Sequence, residues 1–180
     1  MNVSVSGPLP PGSGMDSGDV LVFHTPTPLQ RMWRPSLWLP FLIHISTRSR
    51  WNHAALCIGT DAVTGKQLMV EATARGVAVN PVSSRNDEVR VVRLEYQDND
   101  REDVLAFATG RVGWRYGFFN AFICGVRHVF PGVVQIKVGN QVICSELVAE
   151  ALERAAFDWG KDTALVSPGD LAERLGLPRG

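Results

Sequence analysis

The stretch that most constrains the fold of this chain runs from Val142 to Leu152 and contains a short apolar run, a cysteine and an amphipathic segment. Leu147, Ala151 and Leu152 recur at helical spacing, so the sequence predicts a helix that begins beside Cys144. The first turn of a helix presents free backbone N–H groups and a partial positive charge, which favour a thiolate over a thiol. Cys144 is therefore a candidate nucleophile, although free cysteines are also common as inert core residues.

The composition limits the classes of partner. The chain has 180 residues, of which 45% are hydrophobic, and it carries 18 Lys plus Arg against 18 Asp plus Glu. This balance gives no support to nucleic acid or an anionic membrane as a partner. Three cysteines are too few for a disulfide framework and fit a reducing compartment. No uncharged apolar stretch reaches the roughly 18 to 20 residues that span a bilayer, so we expect a cytoplasmic protein.

The first 16 residues differ in character from the remainder. They are rich in Gly, Pro and Ser and lack the basic start and apolar run of a secretion signal. We interpret residues 1–16 as a flexible leader and residues 17–180 as a single domain.

The order of apolar runs predicts an α+β fold. A run at 18–23 reads as a first strand, and the runs at 52–59, 68–74, 77–79 and 89–94 read as an antiparallel meander of about four more. Sequential hairpins of this kind favour a curled sheet. Helices are then predicted at 99–109, at 118–129, after Cys144, and at 171–175, where Ser167, Pro168 and Asp170 supply a cap.

One segment, residues 33–45, is unusually rich in Trp, Phe, Leu and Ile. Trp38, Phe41, Leu42 and Ile45 fall at helical spacing, which favours a helix packed on the sheet. A surface that contacts lipid or an acyl chain, with peripheral membrane contact, is the alternative.

A cysteine nucleophile needs a base, and His53 is the best-placed of the four histidines. It opens a predicted strand whose next residues, Ala54 and Ala55, leave space around an imidazole. His44 and His128 lie in apolar helical segments, where core or rim positions are the simpler interpretation.

The strand after His53 contains a buried-looking acid, Glu71. In an antiparallel hairpin, an index sum of 124 places Glu71 opposite His53, and a sum of 126 places Thr73 there. Either register keeps a polar partner on the face of the histidine. An acid in an apolar strand needs a partner, so Glu71 could hold the far N–H of the imidazole, or it could face solvent or pair with Arg75.

A zinc site is the competing chemistry, because His53 and Cys57, and likewise Cys124 and His128, are four residues apart. On a strand this spacing covers about 13 Å, too far for one metal ion. The second pair would need two further ligands. We therefore expect no metal and no cofactor.

The ordered set of motifs resembles the circularly permuted, NlpC-type papain-like cysteine hydrolases, the YiiX/YaeF-like group related to lecithin:retinol acyltransferase. In that group the histidine and its polar partner precede the cysteine helix, as His53 and Glu71 precede Cys144 here. The resemblance extends over most of the chain beyond the leader. The matching pieces are Gly18-Asp19-Val20, Trp51-Asn52-His53-Ala54-Ala55, Val70-Glu71-Ala72, Gly76-Val77, Tyr116-Gly117, Ile143-Cys144-Ser145-Glu146-Leu147-Val148 and Ser167-Pro168-Gly169-Asp170-Leu171.

The resemblance implies a papain-like, permuted fold and a set of roles: Cys144 as nucleophile, His53 as general base and Glu71 as the orienting residue. It also implies that the Cys144 N–H forms part of an oxyanion hole and that Tyr116 lines the substrate site, unless Tyr116 is a packing aromatic.

The expected activity is a thiol hydrolase or acyltransferase that cleaves an amide or ester through an acyl-cysteine, with a small-molecule, lipid-like, N-acyl or peptide substrate. A peptidoglycan peptide hydrolase and an inactive binding module on the same fold are the alternatives.

Overall fold

The computed structural model describes residues 3–8, 14–24, 49–85, 87–97, 99–117 and 141–178 of the chain. Eight strands and three α-helices lie within these residues. The strands are β1 (Val3–Pro8), β2 (Val20–His24), β3 (His53–Thr60), β4 (Gln67–Thr73), β5 (Gly76–Pro81), β6 (Glu88–Tyr96), β7 (Arg115–Tyr116) and β8 (Gln141–Val142). The helices are α1 (Asp100–Thr109), α2 (Cys144–Glu153) and α3 (Pro168–Arg174), with 3₁₀ turns at Val82–Ser84 and Thr163–Leu165.

The main sheet has the strand order β1-β6-β2-β3-β4-β5, and every neighbouring pair is antiparallel. This confirms the predicted α+β fold with an antiparallel sheet. The predicted simple meander holds for β3, β4 and β5, but β6 crosses back to pair with β2. The reason lies in β2, where Val20, Leu21 and Val22 are fully buried on both faces. Such a strand is most stable with partners on both edges.

Strand β1 lies inside residues 1–16, for which the sequence predicts a flexible leader. It pairs with β6 at the edge of the sheet, with a register shift between Val5 and Gly7. Alternation of Val with Ser in this short stretch is a weak period-two signal for a strand. The domain boundary itself stays a prediction.

The two faces of the sheet bury separate apolar clusters. The larger cluster joins one face to α2 and includes Leu56, Val70 and Leu147. The smaller cluster consists of Leu21, Phe23, Ala55 and Met69 on the opposite face, and residues of β6 and of the turn after β5 pack against it. Because β6 and β5 are well separated in the strand order, the sheet must curl around this second face. A bulge in β3, next to Cys57, adds to the local bend.

Helix α2 is the most deeply buried helix of the described part of the chain. It packs against β3, β4 and α1, and eight of its ten residues are buried. The N–H of Ile143, just before the helix, donates to Oε2 of Glu146 at 3.2 Å, which satisfies one backbone donor at the helix start. The predicted cysteine helix is therefore confirmed, with Cys144 as its first residue.

The predicted capping of α3 is also present. Ser167 Oγ accepts the N–H of Asp170 at 3.1 Å, and Asp170 Oδ2 accepts the N–H of Ser167 at 3.0 Å. Gly169 lets this helix approach the segment that leads into β3, since a Cβ built there would lie 2.6 Å from Cβ of Ser49. Ser49 Oγ in turn accepts the N–H of Trp51 at 3.1 Å.

Several sequence predictions fall outside the described residues. They are the apolar segment 33–45 with its proposed membrane contact, the helix at 118–129, and His44, Cys124 and His128. Among the helices that are described, none combines the length and the apolar character needed to cross a bilayer.

We predict that Gly169→Ala lowers the free energy of unfolding by about 1–3 kcal/mol, because the added methyl group would overlap Ser49. Urea unfolding followed by tryptophan fluorescence measures the change. Gly14→Ala is the matched control, since nothing lies within 4 Å of its Cβ, and its effect should stay within about 0.5 kcal/mol. The double variant Ser49→Gly, Gly169→Ala should recover part of the loss. Strictly additive effects would show that the two residues do not clash.

Candidate active site

Cys144 lies where α2 begins, against the start of β3. Its side chain is 2% exposed, and the backbone N–H groups of Ala54 and Ser145 both donate to its sulfur. The first contact comes from the sheet and the second from the first turn of the helix. Cys144 therefore has backbone donors from two different elements, and donors to the charged form stabilise a thiolate.

His53 is the first residue of β3, and it lies near enough to Cys144 for each side chain to shift the pKa of the other. The histidine side chain is 12% exposed. Phe23, its cross-strand partner on β2, holds the ring in an aromatic contact with a centroid separation of 5.6 Å. The N–H of the preceding residue, Asn52, donates to the carbonyl of Phe23 at 3.1 Å, which anchors the start of the strand.

Glu71 occupies the other side of the imidazole. Its Oε2 lies 2.7 Å from Nε2 of His53, and its side chain is 3% exposed. An ionised carboxylate only accepts hydrogen bonds, so Nε2 carries the proton and Nδ1 is the nitrogen left for the thiol. This is the tautomer in which Nδ1 can accept a proton from Cys144.

The strand register explains why Glu71, and not Thr73, makes this contact. Ala55 pairs with Glu71 and Cys57 with Met69, which is the register with an index sum of 126. Thr73 is thus level with His53, but its hydroxyl bonds the carbonyl of Gly76 at 3.3 Å. The longer glutamate reaches the ring from the diagonal position on the same face.

Two polar residues that the sequence analysis missed complete the surroundings of Glu71. Asn80 Nδ2 donates to Oε1 at 2.9 Å, and Arg85 donates to Oε2 from Nε at 2.9 Å and from Nη2 at 2.5 Å. Asn80 lies on the neighbouring strand, on the same face as Glu71, so the period-two pattern could have indicated it. Arg85 follows a 3₁₀ turn, where no periodic signal exists.

The charges of Cys144 and His53 support each other. Burial raises the pKa of the Cys144 thiol, but the His53 charge and hydrogen bond, with the two backbone donors, outweigh it and lower the pKa below its usual value. Burial lowers the pKa of His53, and the contacts with Cys144 and Glu71 outweigh burial and the Arg85 charge, so this pKa is raised. Both shifts favour a thiolate beside an imidazolium.

Glu71 stays ionised over a wide pH range. Burial would raise the pKa of this carboxyl, but the hydrogen bonds and charges of His53 and Arg85 lower it to about 2. A permanent negative charge therefore faces the imidazole.

Tyr116 lies in β7 and pairs in parallel with Val142 of β8. Val142 precedes Cys144 by two residues, so this pairing brings Tyr116 near the start of α2. It is half-buried and packs against the larger apolar cluster. Its role in binding substrate stays a prediction.

One of the two residue pairs considered as zinc ligands, His53 and Cys57, lies within the described residues. Within the ranges that the structure describes, no three His, Cys, Asp or Glu residues converge as a metal-binding group. His53 and Cys57 face the same side of β3, but Cys57 lies close to Gln67, with Sγ 3.8 Å from Oε1.

Comparison with known proteins adds an independent finding. A family model described as "permuted papain-like amidase enzyme, YaeF/YiiX, C92 family" matches residues 15–169, which is most of the chain. The matched span includes Cys144, His53 and Glu71. No curated protein matches the chain.

We predict that Glu71→Gln removes an acid-dependent part of the stability. The folded-state pKa of Glu71 is about 2 against an ordinary 4.5, so its contribution is present above about pH 4.5 and is lost as the pH falls toward 2. The shift corresponds to about 3 kcal/mol. Urea unfolding between about pH 7 and about pH 3 measures the free energy of unfolding of both proteins. The difference between the parent and Glu71→Gln should become smaller as the pH falls.

The matched control for that titration is Glu102→Gln, at an exposed position in the first turn of α1. Its unfolding free energy should run parallel to that of the parent. If the Glu71→Gln curve also stays parallel, the carboxylate is not held ionised by its neighbours.

Proposed function

The chain belongs to the permuted papain-like amidase family, and we propose that it cleaves an amide bond through an acyl-cysteine intermediate. The observation that supports this most directly is the row of contacts from Cys144 through His53 to Glu71 at the N-terminus of α2. A thiol paired with an imidazole that a carboxylate orients is the arrangement of a cysteine nucleophile and its base.

In the first step Cys144, as a thiolate, attacks the carbonyl carbon of the substrate. Its negative charge passes to the carbonyl oxygen, which needs hydrogen-bond donors while the tetrahedral intermediate exists. We assign part of this task to the backbone N–H of Cys144, since it lies in the first turn of α2, where backbone donors have no partner within the helix.

His53 supplies the protons of the remaining steps. As an imidazolium it protonates the leaving amine, which frees the product and leaves an acyl-cysteine. As a neutral imidazole it then takes a proton from water, and the resulting hydroxide attacks the thioester. Glu71 keeps the ring in one orientation throughout and stabilises its charged form.

The acceptor in the second half of the reaction decides the outcome. Water gives hydrolysis, whereas an amine or alcohol gives acyl transfer, and the same three side chains serve both. We propose hydrolysis as the main reaction, because the matching family is described as one of amidases.

For the acyl portion of the substrate we propose a lipid-like or N-acyl group. The proposal depends on the apolar segment 33–45 of the sequence and on the resemblance to lecithin:retinol acyltransferase. Peptidoglycan peptides are the class of substrate that the same chemistry would otherwise serve.

We predict that Cys144→Ala abolishes turnover, by about 10³-fold or more in kcat, without loss of the fold. A panel of N-acyl amides of increasing chain length, acyl esters and muropeptides, read by mass spectrometry of the products, tests both the chemistry and the substrate class. Full activity of Cys144→Ala on the substrate cleaved by the parent would end the proposal. Cleavage of muropeptides alone would replace the lipid-like substrate with a peptide.

Alkylation by iodoacetamide tests the thiolate without a substrate. We predict that Cys144 reacts quickly at a pH below the ordinary thiol pKa of about 8.5, and that His53→Gln moves its reaction to higher pH. Peptide mass spectrometry separates Cys144 from Cys57. Cys57 is an internal control, because burial and the nearby carboxylates of Asp19 and Asp16 raise the pKa of the Cys57 thiol. Equal reactivity of the two cysteines, or no effect of His53→Gln, would argue against an activated nucleophile.

A further inference from the structure

Arg85 lies beside His53 and Glu71, and the proposed mechanism gives it no role. Its Nη2 lies 2.5 Å from Oε2 of Glu71 and 3.0 Å from Nε2 of His53. The same carboxylate oxygen therefore faces both the guanidinium and the imidazole. Since arginine stays protonated at all accessible pH values, its positive charge is permanent.

The guanidinium is held in this position from several sides. Nη1 forms an ion pair with Asp87 at 3.1 Å, and the group lies over the Phe23 ring at 5.2 Å from its centroid. The Arg85 N–H donates to the carbonyl of Val82 at 3.2 Å, which fixes the backbone after the 3₁₀ turn. The Arg85 side chain is 21% exposed, so it is largely enclosed by the residues around the site.

The consequence for His53 follows from the charges that surround it. In the described part of the chain, Cys144 and Glu71 favour the imidazolium, whereas Arg85 opposes it. Asp87 lies on the far side of Arg85 and offsets part of that positive charge. Each time His53 is protonated, two cations therefore share one oxygen of Glu71.

We propose that Arg85 is a positioning residue that fixes Glu71 and weakens its hold on the proton of His53, so that the imidazole returns to its neutral form for deacylation. This inference rests on the proposed function. Without Arg85, the His53 that acylation leaves neutral would take up a proton from solvent more readily at neutral pH, and the base needed to activate water would be scarce.

Arg85 assists the step in which water hydrolyses the acyl-cysteine. Neutral His53 takes one proton from water, and the hydroxide oxygen bonds to the acyl carbon. The carbon–sulfur bond then breaks with its electron pair on sulfur, which releases the carboxylic acid and restores the thiolate beside the imidazolium. No other reactant is required.

We predict that Arg85→Met shifts the pH profile of kcat to higher pH, with about a tenfold loss near pH 7 that recovers under alkaline conditions. KM should change little, because Arg85 acts through His53 and Glu71. Arg85→Lys keeps the positive charge but not the paired contacts with Glu71, so its pH profile should shift less than that of Arg85→Met. Arg90→Met is the matched control, since Arg90 pairs with Glu88 at a more exposed position on β6 and should leave the profile unchanged. A loss in Arg85→Met that is equal at every pH would overturn the inference.

An NMR titration separates this inference from the proposed function. In a Cys144→Ala background, which cannot turn over, Arg85→Met should raise the midpoint of the His53 ring signals, and Glu71→Gln should lower it. His53→Gln identifies which signals belong to this residue. If Cys144 proves inert toward iodoacetamide but the His53 midpoint rises, the proposed catalysis fails and the charge coupling stands. An unchanged or lowered midpoint in Arg85→Met overturns the coupling, whatever the activity.

Discussion

The candidate site depends on one contact, between the thiol at the start of α2 and the imidazole at the start of β3. Both residues are first in their elements, so the packing of α2 on the sheet decides whether they meet. That packing is extensive, since the inner positions of α2 are fully buried against β3 and β4. A small rotation of the helix would separate the two groups, and close-packed cores resist such rotation.

Beyond this contact, groups of opposite charge alternate outward from the sulfur. The thiolate faces His53, His53 faces Glu71, Glu71 faces Arg85, and Arg85 faces Asp87. Burying any one of these charges alone would be costly, but each has a neighbour of opposite sign. The row reaches from the buried helix terminus toward the more exposed turn between β5 and β6. It thereby links the chemistry at Cys144 to residues that contact no substrate in the proposed mechanism.

Much of the fold and the central part of the site could be predicted from local patterns. The apolar run of β2, the cap of α3 and the helix after Cys144 are each visible in a few neighbouring residues. The parity of a strand also placed Glu71 on the face of His53. The pairing of β6 with β2, in contrast, required knowledge of how distant strands meet. The choice between Glu71 and Thr73 depended on the register and on side-chain length, and two registers satisfied the pattern equally well.

The sequence by itself determined which residues could do chemistry: a cysteine at a helix start, a histidine among small neighbours and an acid in an apolar strand. These are local properties, set by helix and strand periodicity and by the cost of burying charge. Only the tertiary structure decided that Cys144 and His53 come near enough to shift each other's pKa, that Nε2 faces Glu71, and that Arg85 and Asn80 share that carboxylate. Those contacts join residues up to 91 positions apart along the chain, as with His53 and Cys144 (144 − 53 = 91). Helix and strand periodicity cannot predict a contact between residues so far apart in sequence, because long-range packing decides how the chain between them folds.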